Sequence, residues 1–182
     1  KSDKTSYTVT YDSKYKIDQP TRVGYTFNKF TLDDKTFNLT GVWTLTKDIT
    51  IKANWIANTD TKYVVNHYTE NLDGKGYTKV DTQNLEGTSD SIVSIDANTY
   101  KGFTAQTESQ TTTIAADGTT VIDFYYTRNS YTITFVTNGG SEIEPKSFKY
   151  EETIPSDLKP TRANYTFAGW YTDEKQTTLF ET

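Results

Sequence analysis

An octapeptide that occurs twice constrains this chain more than any other feature. Pro20-Thr21-Arg22-Val23-Gly24-Tyr25-Thr26-Phe27 returns as Pro160-Thr161-Arg162-Ala163-Asn164-Tyr165-Thr166-Phe167, identical at six of eight positions, and Asp33 is answered by Asp173. Repetition at that separation marks a chain assembled from recurring small modules. The opening of each copy repeats too, Tyr7-Thr8-Val9-Thr10-Tyr11 against Tyr131-Thr132-Ile133-Thr134-Phe135. The offset is shorter there, so the later copy carries 16 extra residues before its Pro-Thr-Arg. Copy one runs over residues 7–55 and copy two over 131–182, with a different unit, 62–128, between them. Thr182 aligns with Val42, so copy two lacks a counterpart of the Ile49–Trp55 run. The edge this leaves is expected to be covered by a neighbouring module or a second molecule. Only Thr127 to Ser130 joins the middle unit to copy two, a span of at most ~14 Å, which predicts an elongated tandem array. Modules of about 50–65 residues without disulfide or metal are marginal alone, so neighbouring modules of the chain are expected to support one another.

Period-2 alternation fills these modules, as strands require when one face is buried and the other wet. Tyr7 to Tyr11, Ile49 to Trp55 and Tyr131 to Phe135 alternate apolar with polar residues, and Tyr63 to Tyr68 and Val121 to Tyr126 read as further strands. Another strand is expected near Lys146 to Tyr150. Asp73-Gly74, Asp117-Gly118 and Asn138-Gly139-Gly140 supply the positive φ of tight hairpin turns. No window carries an apolar stripe of helical period; at most one helical turn fits, at Ser156-Asp157-Leu158-Lys159.

Composition agrees. The 182 residues include 36 threonines, 14 tyrosines, 9 phenylalanines and 3 tryptophans, a strand-forming set too rich in rings for a disordered chain. There is no cysteine, which excludes disulfides, thiolate metal sites and a cysteine nucleophile. The formal net charge of −5 argues against nucleic acid, whose phosphates need a basic footprint. No apolar run approaches the ~18 residues of a membrane span. Methionine is absent even at position 1, so the chain reads as a segment of a longer protein, with any signal peptide or anchor elsewhere.

Tyr131 to Phe135, Asn138-Gly139-Gly140, Pro160-Thr161-Arg162 and Tyr165-Thr166-Phe167-Ala168-Gly169-Trp170-Tyr171 resemble the Listeria–Bacteroides repeat, also called the internalin B-type repeat. Copy one resembles it more loosely, having Ser13-Lys14-Tyr15 in place of Asn-Gly-Gly and Lys29-Phe30 in place of Gly-Trp. The middle unit is similar to the mucin-binding-protein type of module through Tyr63 to Tyr68, Asp73-Gly74, Tyr100-Lys101-Gly102-Phe103 and Val121 to Tyr126. Together the resemblances imply a mainly β fold (α+β, built of small β-grasp or ubiquitin-like modules). They also imply an extracellular, cell-wall-associated region of a Gram-positive adhesin or internalin-like protein. Neither family brings catalytic residues or a cofactor, and the partners they imply are host glycans, mucin or a host surface protein.

A search for chemistry adds little to this. His67, the only histidine, has no nucleophile motif beside it and is read as a solvent-facing or edge residue. Asp33-Asp34, Glu142 with Glu144, and Glu151-Glu152 offer paired carboxylates, the tools of glycoside hydrolysis, but adjacency alone reads as solvated loops. Asn71-Leu72-Asp73-Gly74-Lys75-Gly76 lacks the spaced oxygen ligands of a calcium loop and reads as a turn. Trp55 and Trp170 are assigned to module cores. Trp43, Tyr68, Tyr77 and Tyr100 are the candidate ligand contacts, since exposed flat rings stack on sugars and other planar ligands. A Lys–Asn intramolecular bond is a further option, with Lys52 and Asn54 as examples. No metal or cofactor is expected. The chain is thus expected to be a non-catalytic stalk or interaction region. A binding role for the middle unit, or service as an accessory region of an extracellular carbohydrate-active enzyme, is the alternative.

Overall fold

The computed structural model describes residues 6–180. They are mainly β, with no helix among the described residues. In chain order the strands are β1 (Lys14–Lys16), β2 (Tyr25–Leu32), β3 (Lys35–Phe37), β4 (Thr40–Val42), β5 (Lys52–Ala57), β6 (Thr61–Glu70) and β7 (Tyr77–Gly87). They continue with β8 (Ile92–Asp96), β9 (Phe103–Ala105), β10 (Ser109–Thr113), β11 (Thr120–Arg128), β12 (Ser130–Ile133) and β13 (Lys146–Lys149). Most are short, and the long ones, β6, β7 and β11, form one sheet in the order β7-β6-β11-β9. The chain divides into two compact units. The first takes in the chain to Asn66, Asp81–Ala97 and Glu108–Asp123; the second takes His67–Val80, Asn98–Thr107 and the chain from Phe124 onward.

In the first unit, β3-β2-β5 form an antiparallel sheet and β1 pairs with β4. Asp33 and Asp34, both at positive φ (47° and 62°), make the two-residue turn between β2 and β3. That is the backbone a tight hairpin demands, so this carboxylate pair has a local structural task. Tyr7 to Tyr11 is not a strand: the backbone turns at Asp12 (φ 62°), whose N–H donates to the Trp43 carbonyl (2.9 Å), and pairing begins only at Lys14. The expected burial rhythm survives without a ladder, with Tyr7 and Val9 half-buried between exposed Thr8 and Thr10. The Ile49 run likewise enters the sheet only at Lys52.

The repeated octapeptide makes the same turn twice. The Tyr25 N–H donates to the Arg22 carbonyl and the Tyr165 N–H to the Arg162 carbonyl, both at 3.1 Å. The guanidinium lies over the tyrosine ring at 3.5 Å in copy one and 4.0 Å in copy two. The residue before each tyrosine has positive φ, Gly24 at 72° and Asn164 at 63°, the conformation glycine and asparagine tolerate best. Glycine is required in copy one because a Cβ there would meet the Ala116 carbonyl oxygen at 2.4 Å. Asn164 is exposed and asparagine suffices.

In the second unit, Phe124 and Tyr126 are buried on one face of β11 together with His67 of β6. The strand run passes from β11 to β12 through Asn129 alone, shorter than the linker expected from sequence. Asn129 is held on both sides: its N–H donates to the Gly102 carbonyl (2.9 Å) and its carbonyl accepts from the Tyr150 N–H (2.8 Å). β12 and β13 pair antiparallel, Tyr131 opposite Phe148, and Asn138-Gly139-Gly140 turns within the loop between them. Asp117-Gly118 does not close a hairpin; it carries the chain from β10, paired with β8, to β11 of the four-stranded sheet. At Ser156-Asp157 there is a simple turn.

Gly102 (φ 79°) passes beneath the Tyr150 ring, where an added Cβ would lie 2.2 Å from ring carbons. Gly102→Ala therefore meets both a clash and a disfavoured backbone. It is expected to lower unfolding free energy by about 2–4 kcal/mol, read from the shift of the denaturant midpoint at constant slope.

Candidate functional site

The alternation of β6 and β11 puts His67, Phe124 and Tyr126 on one face of the sheet and Tyr68 and Tyr125 on the other. On that second face the rings of Tyr68 and Tyr125 stack, centroids 5.1 Å apart and 17° from parallel. Tyr77, the first residue of β7, stands edge-on to Tyr125 at 5.0 Å and 74°. Its hydroxyl accepts from Gln106 Nε2 (2.6 Å), which also donates to Thr127 Oγ1 at 3.3 Å. Tyr77 and Tyr125 remain 40% and 38% exposed. The result is a flat platform of three phenol rings fringed by an amide and a threonine hydroxyl. Such a surface offers apolar faces for stacking and hydroxyls for hydrogen bonding, and it carries no formal charge.

Two of the four candidate contact residues, Tyr68 and Tyr77, thus come together, and Tyr125 joins them. Tyr125 was legible only as part of a strand; the signal that could have selected it is its parity with Asp123, opposite to Phe124 and Tyr126. Trp43 belongs elsewhere, half-buried against Tyr15 (5.9 Å, 86°) and Phe37 (6.5 Å, 62°). Tyr100 faces the buried side, edge-on to Tyr126 at 4.8 Å and 88°.

His67 is not at the surface. It shares the face of Val65, two residues before it, and both are fully buried. The imidazole stacks on Phe124 (5.5 Å, 9°), with Nδ1 2.7 Å from the Tyr126 hydroxyl and Nε2 3.3 Å from Asn98 Nδ2. The Tyr126 hydroxyl also accepts from the Asn98 backbone N–H at 2.9 Å. A polar ring can be buried at this depth because its nitrogens keep partners.

The remaining candidates resolve into structural roles. In the Asn71–Gly76 loop, Asn71 Nδ2 donates to the Lys75 carbonyl (3.0 Å) and Asp73 Oδ1 accepts from the Lys75 N–H (2.8 Å). The oxygens a cation would need are turned to the loop itself. Asn54 Nδ2 donates to Thr31 Oγ1 at 3.0 Å and Lys52 is exposed on the same strand. Trp55 packs edge-on to Phe27 (5.7 Å), and Trp170 lies between Phe135 and Phe167 with Nε1 donating to the Leu158 carbonyl (2.8 Å). Among the described residues no group of three or more His, Asp or Glu could hold a metal ion, and no helix is long and apolar enough to cross a membrane.

Charge is concentrated where β6, β11 and β13 end. Arg128, 10% exposed, donates from Nη1 to Glu151 Oε2 (2.6 Å) and to the Tyr150 carbonyl (2.9 Å), and from Nε to the Glu70 carbonyl (3.2 Å). Glu70 accepts from Lys149 Nζ and the Arg128 backbone N–H, both at 2.9 Å, and these bonds hold its carboxyl below the usual range. Glu151, expected to be simply solvated, is therefore half of an ion pair. Backbone N–H donors from Thr177 and Thr178 lower Asp173 in the same way, and Thr119 lowers Asp117. Tyr25 is raised, because its hydroxyl donates to the Asp90 carboxylate, which also faces Arg22 at 3.6 Å.

Residues 131–182 match the Listeria–Bacteroides repeat domain. The matched segment holds the Asn-Gly-Gly turn, the second octapeptide and Trp170. The chain is also 25% identical over 183 residues to a predicted membrane protein of Evansella cellulosilytica, with 91% of this chain covered. A predicted Gly-rich membrane protein of the same organism is 25% identical over 177 residues, covering 89% of this chain. The chain spans 26% of the first relative's length and 19% of the second's. No solved structure matches it.

The Glu70 contacts give a pH dependence with a definite sign. A carboxylate held below its ordinary pKa adds stability that is complete above that value and is lost as pH falls through its lowered pKa in the folded protein. Thermal unfolding followed from about pH 6 down to pH 2 should show a steeper loss for the native chain than for Glu70→Gln. The two curves should converge at the acid end.

Proposed function

We propose that this chain is a non-catalytic repeat region of a bacterial cell-surface protein, serving as a stalk and interaction segment in an adhesin or internalin-like parent. The observation that carries this reading is the doubly occurring Arg–Tyr turn. The same local structure is built at Arg22–Tyr25 and Arg162–Tyr165, and the second lies within a segment that matches a bacterial repeat domain. The relatives are named as membrane proteins and align with nearly all of this chain over a small part of their own length, which supports placement in a long, cell-envelope protein. On this reading residues 7–55, 62–128 and 131–182 are successive modules, the outer two of internalin B type with a β-grasp plan, exposed on the extracellular, wall-associated side. Catalysis plays no part: the buried His67 and the carboxylates engaged in turns and ion pairs support a structural role for them. An elongated particle in solution scattering supports the tandem array, and a compact one would overturn it.

The platform of Tyr68, Tyr77 and Tyr125 favours one addition, that the middle module is adhesive toward mucin-type glycans or a host surface protein. Stacked rings with a fringe of hydrogen-bonding groups are the means by which protein surfaces hold sugar rings. Binding of the intact chain to immobilised mucin and a glycan panel is expected to saturate. Tyr125→Ala should weaken it by about tenfold, the loss of one ring contact, and Tyr77→Phe should weaken it less. Circular dichroism would confirm that both variants keep the fold. Binding that is absent, or indifferent to Tyr125, would remove the adhesive role and leave the stalk alone.

A further inference from the structure

A chain without cysteine can still be cross-linked through its tyrosines, and one pair here is placed for that chemistry. An oxidised phenol shares its unpaired electron between the oxygen and the ring carbons beside the hydroxyl-bearing carbon, so two such rings join only where those carbons can meet. Tyr68 of β6 and Tyr125 of β11 are stacked, centroids 5.1 Å apart and 17° from parallel, which brings facing ring carbons into contact at ~3.5–4.0 Å. The other tyrosine pairs among the described residues are edge-on, Tyr77 with Tyr125 at 74° and Tyr100 with Tyr126 at 88°. Tyr126 is also fully buried, its hydroxyl 2.7 Å from His67 Nδ1. Tyr11, Tyr131 and Tyr165 are more exposed than Tyr125, yet among the described residues no tyrosine ring packs against them. An oxidant can reach the stacked pair, because Tyr125 is open to solvent and Tyr68 is half-buried. The chain has no cysteine and no methionine, the sulfur side chains that would otherwise consume it.

We propose that Tyr68 and Tyr125 form an oxidative cross-linking site, at which hydrogen peroxide, used by a haem peroxidase, joins the two rings carbon to carbon and staples β6 to β11. Each phenol gives up its O–H hydrogen, the proton to solvent and the electron to the oxidant. The two radicals then couple through a ring carbon beside each hydroxyl-bearing carbon. The hydrogen on each coupled carbon moves to the phenol oxygen, and both rings become phenols again. In sum, two tyrosines and one hydrogen peroxide give one dityrosine and two waters, and the protein is lighter by two hydrogens. Both residues lie in the second unit, on neighbouring strands. The coupling is therefore intramolecular, with the rings held together in advance rather than meeting by collision. The new bond closes a loop between residues 57 apart in sequence and removes freedom from the unfolded chain as a disulfide does. The site shares its rings with the tyrosine platform, but it needs no ligand there and does not depend on the proposed cellular role.

The test treats the full chain with hydrogen peroxide and a haem peroxidase, at a protein concentration low enough that encounters between chains are rare. A monomer is expected that shows the blue fluorescence of dityrosine, has lost two hydrogens in mass and migrates faster on a denaturing gel. Cleavage after lysine and arginine should then leave the peptide 63–75 joined to the peptide 102–128. Tyr68→Phe and Tyr125→Phe keep the stacked rings but remove the hydroxyl, and each should abolish the link, whereas Tyr11→Phe should retain it. The linked monomer should unfold at a higher temperature than the untreated chain, and neither Phe variant at 68 or 125 should gain from the same treatment. Absence of a linked monomer would overturn the proposal, as would a link that survives Tyr68→Phe or Tyr125→Phe. Dityrosine confined to dimers would overturn it in favour of random coupling between exposed rings. A linked monomer whose unfolding temperature is unchanged or lower would overturn the staple.

Discussion

The hydrogen-bonded ring of His67 is the point on which the second unit turns. An imidazole with no exposure needs partners for both nitrogens, and those near it come from different strands and loops: Tyr126 from β11 and Asn98 from the segment before β9. The backbone ladder between β6 and β11 sets their spacing, and within it the hydrogen bonds and the stacked Phe124 ring hold the imidazole in place. The other face of the same two strands inherits that spacing. Tyr68 and Tyr125 stack because the residues next to them in sequence, His67 and Phe124 or Tyr126, are locked on the buried side. The surface platform is thus the reverse side of a core contact.

Much of this was readable from the chain, for a physical reason. Alternation over Tyr63–Tyr68 and Val121–Tyr126 reports which residues share a face, and both segments are central strands. The same rhythm misled at Tyr7–Tyr11, where it records burial without pairing: the turn at Asp12 is decided by a hydrogen bond to Trp43, a residue distant in sequence. Asp117-Gly118 shows the complementary limit. The dipeptide announces positive φ, which it has, but whether the strands it joins are partners depends on β8 and β6, which claim β10 and β11 separately. His67 shares its parity with Val65, and reading it on the opposite parity is what places it at the surface; both are fully buried. The tyrosine platform was half visible: nothing in a linear sequence says that Tyr77 and Tyr125 meet across β6.

The two octapeptides show how a repeat holds its conformation while its surroundings change. The guanidinium-on-ring contact and the turn are carried by residues inside the phrase and persist in both copies. What the arginine bonds next is supplied from outside. Arg162 donates to the Asn138 carbonyl (3.0 Å), part of the Asn-Gly-Gly turn. Copy one has Ser13-Lys14-Tyr15 there instead, and Arg22 faces Asp90 of the intervening segment. The absence of an Asn-Gly-Gly turn and the presence of a carboxylate partner go together in copy one, and Gly24 is the residue that lets the Ala116 backbone come close.

The junction at Asn129 has a mechanical meaning. β11 lies between β6 and β9, and it passes into β12 through a single residue whose N–H and C=O are both bonded, with Arg128 beside it reaching Glu70, Tyr150 and Glu151. Tension applied from the Tyr131 side enters the sheet through an interior strand. It loads the ladders on both flanks of β11 together with the arginine contacts. Bonds loaded in parallel share a force that bonds loaded in series would meet one at a time. A chain with no covalent cross-link from cysteine therefore gains resistance to extension from where its connection is placed rather than from the strength of any one contact.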